Sequence, residues 1–354
     1  MNLSELTTLR LGGPAARYLE ADTEEAVVEA VRAADREGEP LLVLAGGSNV
    51  VVADEGFPGT VLRIATRGVQ REGATRGAGG DGATLEIAAG EPWDPLVADC
   101  VAGKLAGVEC LAGIPGSVGA TPIQNVGAYG QEVAETIVAV RVLDRLRGTV
   151  EELDPAACAF TYRSSALKRH PGRWVVLAVR LRLQASVVSG AIRYAELARA
   201  LGIEVGDRAP LGEVRDAVLA LRRAKGMVLD PADPDTVSAG SFFTNPVLEA
   251  EAFAALEARA AERLGSGASP PAWPDEGRRV KTSAAWLIER AGFRRGQGDP
   301  NGIAISSKHT LALTNRGAGT TAQVVALARE IAGGVRDAFG VELTPEPVLV
   351  GHEW

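Results

Sequence analysis

The segment 111–130 constrains the fold most, because glycine and proline recur through it. Its five glycines and two prolines are Gly113, Gly116, Gly119, Gly127, Gly130, Pro115 and Pro122. Glycine permits positive φ angles and close approach of a ligand to the main chain, whereas proline fixes φ and removes a donor. Apolar residues such as Ile114 and Val118 alternate with small ones, so we expect a partly buried loop. Its main-chain polar groups then need partners, and a phosphate or a flat heterocycle would supply them; the alternative is an ordinary surface loop.

Length and composition indicate a soluble chain of two or three domains. The 354 residues suffice for several cores, and 46% hydrophobic with 23% charged residues is typical of globular proteins. A net charge of −8 argues against a general nucleic-acid binder and leaves an anionic small ligand open. The sequence lacks an 18-residue apolar run and an apolar signal segment, so we expect a cytoplasmic protein that does not span a membrane.

Cysteine and histidine spacing predicts neither disulfides nor a metal site. Cys100, Cys110 and Cys158 are odd in number and form no CxxC pair, which indicates reduced thiols that fill the core. The three histidines lie far apart in the sequence.

Hydrophobic periodicity and capping residues predict a mixed α+β chain. Helices are predicted over 23–37, 93–106, 212–226, 247–263, 283–291 and 320–339. Strands are predicted over 41–45, 50–52, 60–64, 84–89, 136–143, 174–183 and 348–350. Residues 68–83 are rich in glycine and polar residues, and residues 265–280 are rich in glycine and proline. Both segments are predicted as loops. The elements show no clean βαβ repeat, which favours α+β domains over one doubly wound sheet.

One glycine pattern is misleading. Gly77, Gly79 and Gly82 match G-x-G-x-x-G. A dinucleotide fingerprint follows a strand and opens a helix, and here no strand is predicted before the pattern while a strand follows it. We therefore do not interpret it as a Rossmann motif.

Three further motifs offer chemistry, and each has a simpler alternative. Ser241 lies in Gly-Ser-Phe-Phe without a G-x-S-x-G elbow, so it could deliver a proton or merely cap a turn. Glu346 lies between two prolines before an apolar strand; burial would raise its pKa and suit an acid, and an exposed turn is the alternative. Arg163, in Tyr-Arg-Ser-Ser, could bind a carboxylate or form a surface ion pair.

Taken in order, short segments along nearly the whole chain resemble the UDP-N-acetylenolpyruvoylglucosamine reductase family, flavoenzymes of peptidoglycan precursor synthesis. Each segment alone is weakly diagnostic, whereas the ordered set is specific. The segments are Thr8-Leu9-Arg10-Leu11-Gly12-Gly13, Gly46-Gly47-Ser48-Asn49-Val50, residues 112–119, residues 122–130, Tyr162-Arg163-Ser164-Ser165, Ala239-Gly240-Ser241-Phe242-Phe243, Asn245-Pro246 and Pro345-Glu346.

The resemblance implies three domains with a flavin-oxidase-type, non-Rossmann FAD-binding fold and an α+β domain for a UDP-sugar. The boundaries that we expect are 1–66 and 67–226 for the FAD-binding parts, 227–340 for the substrate domain, and 341–354 for a terminal strand that returns to the FAD-binding region. It also implies that NADPH reduces FAD and that a hydride then passes to the enolpyruvyl group of UDP-N-acetylglucosamine enolpyruvate. We expect a monomer whose partners are these small molecules.

The resemblance assigns roles to individual residues. Ser241 would supply a proton, and Arg163 and Glu346 would stabilise the enolic intermediate. Lys225 matches a lysine that binds the UDP diphosphate, Tyr194 matches the tyrosine of a substrate loop, and Asn245 and His309 match substrate-side positions. The residues expected to bind FAD are Gly46, Gly47, Ser48, Asn49, Gly113, Ile114, Pro115, Gly116, Ser117, Gly119, Ala120, Asn125, Gly127, Ala128, Tyr129 and Arg163.

Four positions depart from common family patterns. Thr244 replaces a frequent lysine, Leu167 a frequent phenylalanine, and His309 a glutamine found in some members. Pro347 follows the glutamate where another residue is usual. These changes bear on individual UDP contacts more than on the reaction.

Two other classes of protein are the alternatives. A flavin-dependent sugar or alcohol oxidase of the same fold would lack the Ser241 and Glu346 segments, and its reduced flavin would react with oxygen. A non-catalytic nucleotide-binding protein would use the glycine loops alone and would leave the other ordered segments unexplained.

Overall fold

The structure is a computed structural model that describes residues 1–77, 80–275 and 277–354. Its α-helices are α1 (Glu24–Glu37), α2 (Trp93–Ala102), α3 (Pro155–Cys158), α4 (Ala166–Arg169), α5 (Ala195–Leu201), α6 (Leu211–Ala224), α7 (Ala250–Leu264), α8 (Ala284–Arg290) and α9 (Thr321–Phe339). Its strands are β1 (Ala15–Ala21), β2 (Leu41–Leu44), β3 (Val50–Val52), β4 (Phe57–Ile64), β5 (Val69–Gly77), β6 (Gly80–Ala88), β7 (Leu105–Ala106), β8 (Gly127–Ala128), β9 (Gln131–Glu132), β10 (Ile137–Asp144), β11 (Thr149–Leu153), β12 (Trp174–Ala185), β13 (Ser238–Ser241), β14 (Val247–Leu248), β15 (Ala272–Pro274), β16 (Val280–Thr282), β17 (Ile303–Ile305), β18 (Ala312–Asn315) and β19 (Val348–Val350).

The chain forms two compact units, each built from separate stretches of sequence. Unit 1 comprises Met1, Ala15–Gly47 and Phe57–Val228. Unit 2 comprises Asn2–Pro14, Ser48–Gly56 and Leu229–Trp354.

Unit 1 contains a small parallel sheet and a larger antiparallel one. The parallel sheet has the order β1-β4-β2 and packs against α1, whose apolar stripe includes Val27 and Val31. The antiparallel sheet runs β11-β10-β12-β6-β5, and β7 also pairs with β12. Alternate residues of β6, Leu85 and Ile87, point into a core shared with α2 and α6, as expected for a sheet with one buried face.

Unit 2 packs short sheets against the helices α7, α8 and α9. Its sheets are β13-β18-β17, β14-β16-β15 and the parallel pair β19-β3. The core includes Phe242, Phe243 and Phe339, each at most 2% exposed. Asp54 accepts from the main-chain N–H groups of Thr321 and Ala322, so a carboxylate stabilises the positive N-terminal end of α9.

Locally encoded boundaries agree with the sequence predictions. Thr23 caps α1 through its side chain, and Gly38 ends the helix with φ 66°. Thr320 and Gln323 form a complete capping box at the start of α9. Cys100, Cys110 and Cys158 are free and buried, as predicted.

Two predicted loops and two predicted helix boundaries are wrong. The predicted loop 68–83 contains β5 and the start of β6, which form an antiparallel pair; Gly79 lies outside the described residues. The helix predicted over 93–106 ends at Ala102, because Leu105 and Ala106 pair with β12. The helix predicted from 247 begins at Ala250 because β14 precedes it, and the predicted loop 265–280 contains β15 and the start of β16. For the two helices, pairing with a distant strand overrides the local pattern; in the two predicted loops, the strands pair with their neighbours along the chain.

Candidate functional site

The glycine loop, residues 111–130, is partly buried in unit 1, as predicted, and lies against the 46–47 turn. A Cβ placed on Gly46 would lie 2.7 Å from the Cα of Gly116. A Cβ on Gly119 would lie 2.5 Å from the Cβ of Ala89. These glycines are therefore required by the close approach of one backbone to another.

Several main-chain donors of the glycine loop are already used inside unit 1. Gly113 donates its N–H to Asp94 Oδ1 at 2.6 Å. Gly119 donates its N–H to the carbonyl of Ala89 at 2.8 Å. These two N–H groups hold the loop in shape, so any ligand must be bound by other donors of the segment.

Ser117 supplies a polar atom that has no protein partner. Its side chain is buried, and Oγ makes no hydrogen bond with the residues that the structure describes. Buried polar atoms in native proteins are almost always paired. An unpaired hydroxyl beside the Gly46–Gly116 contact is what a bound polar ligand would satisfy.

Asn125 uses its side chain to hold the glycine loop together. Its amide nitrogen donates to Glu132 Oε2 at 2.7 Å and to the carbonyl of Thr161 at 3.1 Å. Its Oδ1 accepts from the N–H of Ala134 at 3.1 Å. The side chain therefore ties the loop to two neighbouring segments.

Arg163 extends from a strained backbone to the same loop. It has a left-handed backbone with φ 54°, as do Asn125 and Tyr129 at 48° and 49°, and such angles in non-glycine residues concentrate at functional sites. Its guanidinium donates to the carbonyl of Gly127 at 2.5 Å and to that of Asn125 at 3.4 Å. The cation is thus placed on the loop by main-chain acceptors.

Two predicted substrate residues of unit 1 meet at Tyr129. The rings of Tyr129 and Tyr194 are T-shaped with centroids 5.6 Å apart. Lys225 Nζ lies 5.7 Å from the Tyr129 centroid and 2.6 Å from Glu196 Oε2. Burial raises the pKa of Tyr129 to about 12, so this phenol stays protonated near neutral pH.

Arg222 belongs to this site and was missed from the sequence. Its Nη2 donates to the carbonyls of Met227 at 2.8 Å and Gly113 at 3.3 Å. Burial lowers the pKa of Arg222, and the nearby Tyr129 acts in the opposite direction. Asp94 and Arg222 therefore hold Gly113 by its N–H and its carbonyl. No local motif in the sequence indicates these distant acceptors.

Unit 2 brings Ser241 and Glu346 onto neighbouring segments. The N–H of Glu346 donates to the carbonyl of Phe242 at 2.8 Å. Asn49 joins them, because its Nδ2 donates to the carbonyl of Glu346 at 3.3 Å and its own carbonyl accepts from Val348. Arg163, the third predicted catalytic residue, belongs to unit 1.

Two predicted residues of unit 2 remain, Asn245 and His309. Asn245 Oδ1 accepts from the N–H of Ala284 at 3.0 Å, which places its side chain at the start of α8. The N–H of Phe242 donates to Leu311, two residues after His309. Thr244, one of the departures from the family pattern, donates its hydroxyl to the carbonyl of Thr344 at 3.4 Å.

Comparison with known proteins identifies the class. A family model described as an FAD binding domain matches residues 15–154. A second, described as the C-terminal domain of UDP-N-acetylenolpyruvoylglucosamine reductase, matches residues 231–350. The chain is a flavin-dependent oxidoreductase with an α+β fold, as predicted.

Full-length relatives define the family. A Streptomyces coelicolor protein named UDP-N-acetylenolpyruvoylglucosamine reductase is 59% identical over 350 residues, covering 99% of this chain and 89% of the relative. A Streptomyces avermitilis protein of the same name is 56% identical, covering 99% and 94%. The crystal structure of the Thermus caldophilus reductase aligns with a TM-score of 0.64 at 26% identity, covering 99% of this chain and 97% of that one. The chain belongs to the UDP-N-acetylenolpyruvoylglucosamine reductase family, so the resemblance is confirmed.

Proposed function

We propose that the chain reduces the enolpyruvyl ether of UDP-N-acetylglucosamine enolpyruvate to the lactyl ether of UDP-N-acetylmuramate, in peptidoglycan precursor synthesis. NADPH is the reductant and FAD the cofactor. The observation that carries the proposal is the hydrogen bond between Glu346 and Phe242, because it holds the Ser241 and Glu346 segments side by side. A cytoplasmic location and a monomeric state are also part of the proposal. Among the described residues, the helices are too short or too polar to cross a bilayer.

The residues of the glycine loop fit a bound FAD. The unpaired hydroxyl of Ser117 and the Gly46–Gly116 approach provide a polar contact and a surface without side chains. We assign FAD binding to the residues that the sequence analysis gives as expected FAD contacts. Asn125 and Gly119 would act by shaping the loop, since their polar groups are engaged within unit 1. When bound, FAD accepts a hydride from NADPH and supplies one to the terminal carbon of the enolpyruvyl group.

The protein's own groups handle the charge and the proton. Addition of a hydride to the terminal carbon leaves negative charge on the neighbouring carbon and its carboxylate. Arg163 would stabilise this charge through its guanidinium, which is fixed by two carbonyls. Ser241 would donate its hydroxyl proton to the carbon that bears the carboxylate, and Glu346 would stabilise the enolic form.

Substrate recognition is assigned to four residues. Lys225 would contact the diphosphate through its ammonium, and Tyr194 would contact the substrate from the segment before α5. Asn245 and His309 would contribute from unit 2. The bond from Asn245 to Ala284 fixes the orientation of that amide.

The test separates the two half-reactions of the holoenzyme under anaerobic conditions. We expect NADPH to bleach the flavin and the enolpyruvyl sugar nucleotide to restore its colour. In Ser241→Ala, reduction by NADPH should proceed normally, whereas reoxidation by the substrate should slow by about 10² or more. Ser266→Ala, an exposed serine of unit 2, is the matched control.

Two results would contradict the proposal. Equal slowing of both half-reactions in Ser241→Ala would remove the proton-donor role. A wild-type flavin that NADPH reduces but that recovers its colour only in air would indicate an oxidase with another substrate.

A further inference from the structure

Lys225 is held by a carboxylate from a different helix. Its Nζ lies 2.6 Å from Glu196 Oε2, and the two side chains are 32% and 35% exposed. Glu196 lies in the first turn of α5, while Lys225 directly follows α6. A charge-assisted contact at this distance and partial burial keeps the ammonium in one place.

The segment that carries Glu196 also contacts the glycine loop. Tyr194, two residues earlier, packs edge to face on Tyr129. Lys225 lies near the same Tyr129 ring at 5.7 Å. The 194–196 segment therefore contacts both the lysine and the loop.

We infer that Glu196 competes with the diphosphate of the substrate for Lys225 and thereby sets the affinity of the site. The inference rests on the proposed role of Lys225. An ammonium is a compact charge that carboxylate and phosphate oxygens bind in the same way. While Glu196 holds the ammonium, its carboxylate repels an arriving diphosphate and neutralises the charge that would attract it, so the diphosphate binds most strongly once the carboxylate has moved away. The free energy needed to break the Glu196–Lys225 ion pair is subtracted from the free energy of diphosphate binding.

The experiment measures the dissociation constant of UDP for the FAD-loaded enzyme. Glu196→Gln keeps the size of the side chain and removes its charge. Partly exposed ion pairs are worth little, so we expect the Kd for UDP to fall by about two- to fivefold. Glu151, on β11, pairs with Arg147 far from this site in the sequence. Glu151→Gln removes the same charge and should leave the Kd for UDP unchanged. Glu196→Ala is a second variant with the same expected direction.

A double-mutant cycle isolates the competition. In a Lys225→Met background, adding Glu196→Gln should leave the Kd for UDP unaltered, because there is no ammonium to compete for. An unchanged or raised Kd in both Glu196→Gln and Glu196→Ala, with Lys225 present, would overturn the inference. Failure of the proposed function is distinct, since it would appear in the wild-type enzyme as flavin that the UDP-sugar does not reoxidise.

Discussion

Replacing Gly46 by alanine tests whether the approach of the 46–47 turn to the glycine loop builds the FAD site. The added Cβ would lie 2.7 Å from the Cα and 3.2 Å from the carbonyl carbon of Gly116. Both are main-chain atoms, so no side chain can rotate away. Gly46 has no left-handed φ, so alanine is tolerated by the backbone itself and the effect comes from the contact.

The expected magnitude follows from the required displacement. A Cβ contact below 3.0 Å forces one segment to shift by several tenths of an ångström, and such overpacking costs about 1–3 kcal/mol. We expect the free energy of unfolding of the apoprotein to fall by this amount. The same shift would move Gly116 and Ser117 away from the proposed FAD site, so the Kd for FAD should rise by about tenfold, which corresponds to about 1.4 kcal/mol.

Urea denaturation of the apoprotein and titration with FAD measure the two quantities. Gly190→Ala is the matched control, because a Cβ there meets no atom within 4 Å and its φ is not left-handed. If Gly46→Ala matched Gly190→Ala in both stability and FAD affinity, the close approach would have no role in the site.

Two further predictions use buried groups of unit 1. Arg222→Met should lower the free energy of unfolding by about 1.5–3 kcal/mol, because two carbonyls lose their charged donor. Arg222→Lys should retain part of the stability and part of the FAD affinity that Arg222→Met loses. An equal loss of stability in the two variants, measured by urea denaturation, would contradict this. Burial raises the pKa of Cys100 and Cys110 from 9.0 to about 12. The unfolded chain therefore loses these protons first, and stability should fall as pH rises from 9 towards 12. From pH 8 to pH 10, the free energy of unfolding should decrease less in Cys100→Ala than in the wild-type protein. An identical decrease in the two proteins would argue against a raised pKa of Cys100.

The sequence predicts the parts of the fold that are encoded locally. The caps of α1 and α9 depend on residues three apart, and the structure confirms both. The β5–β6 pair was missed because β5 is polar and lies at the edge of its sheet, so its pairing depends on β6 and not on its own pattern. The strands β15 and β16 were missed because each is only three residues long and lies in or next to a segment rich in glycine and proline.

The candidate site shows the same division between local and distant information. Ordered motifs indicate Arg163, Ser241 and Glu346 because each lies in a recognisable segment. Arg222 and Glu196 lie in ordinary amphipathic helices, and only tertiary packing brings them to Gly113 and Lys225. No spacing in a single sequence encodes such contacts.

The structure also changes what the glycines of the loop are for. From its glycine content, the loop is predicted to offer its main-chain polar groups to a phosphate or a flat heterocycle, unless it is an ordinary surface loop. Gly113 and Gly119 instead donate to Asp94 and Ala89, and a Cβ on either would lie within 3.0 Å of a neighbouring atom. These glycines thus let the loop pack tightly enough to be rigid. Rigid loops lose less entropy when a ligand binds, so binding can then rely on a few remaining groups. One of these is Ser117 Oγ, a buried side-chain atom that has no hydrogen-bond partner among the described residues.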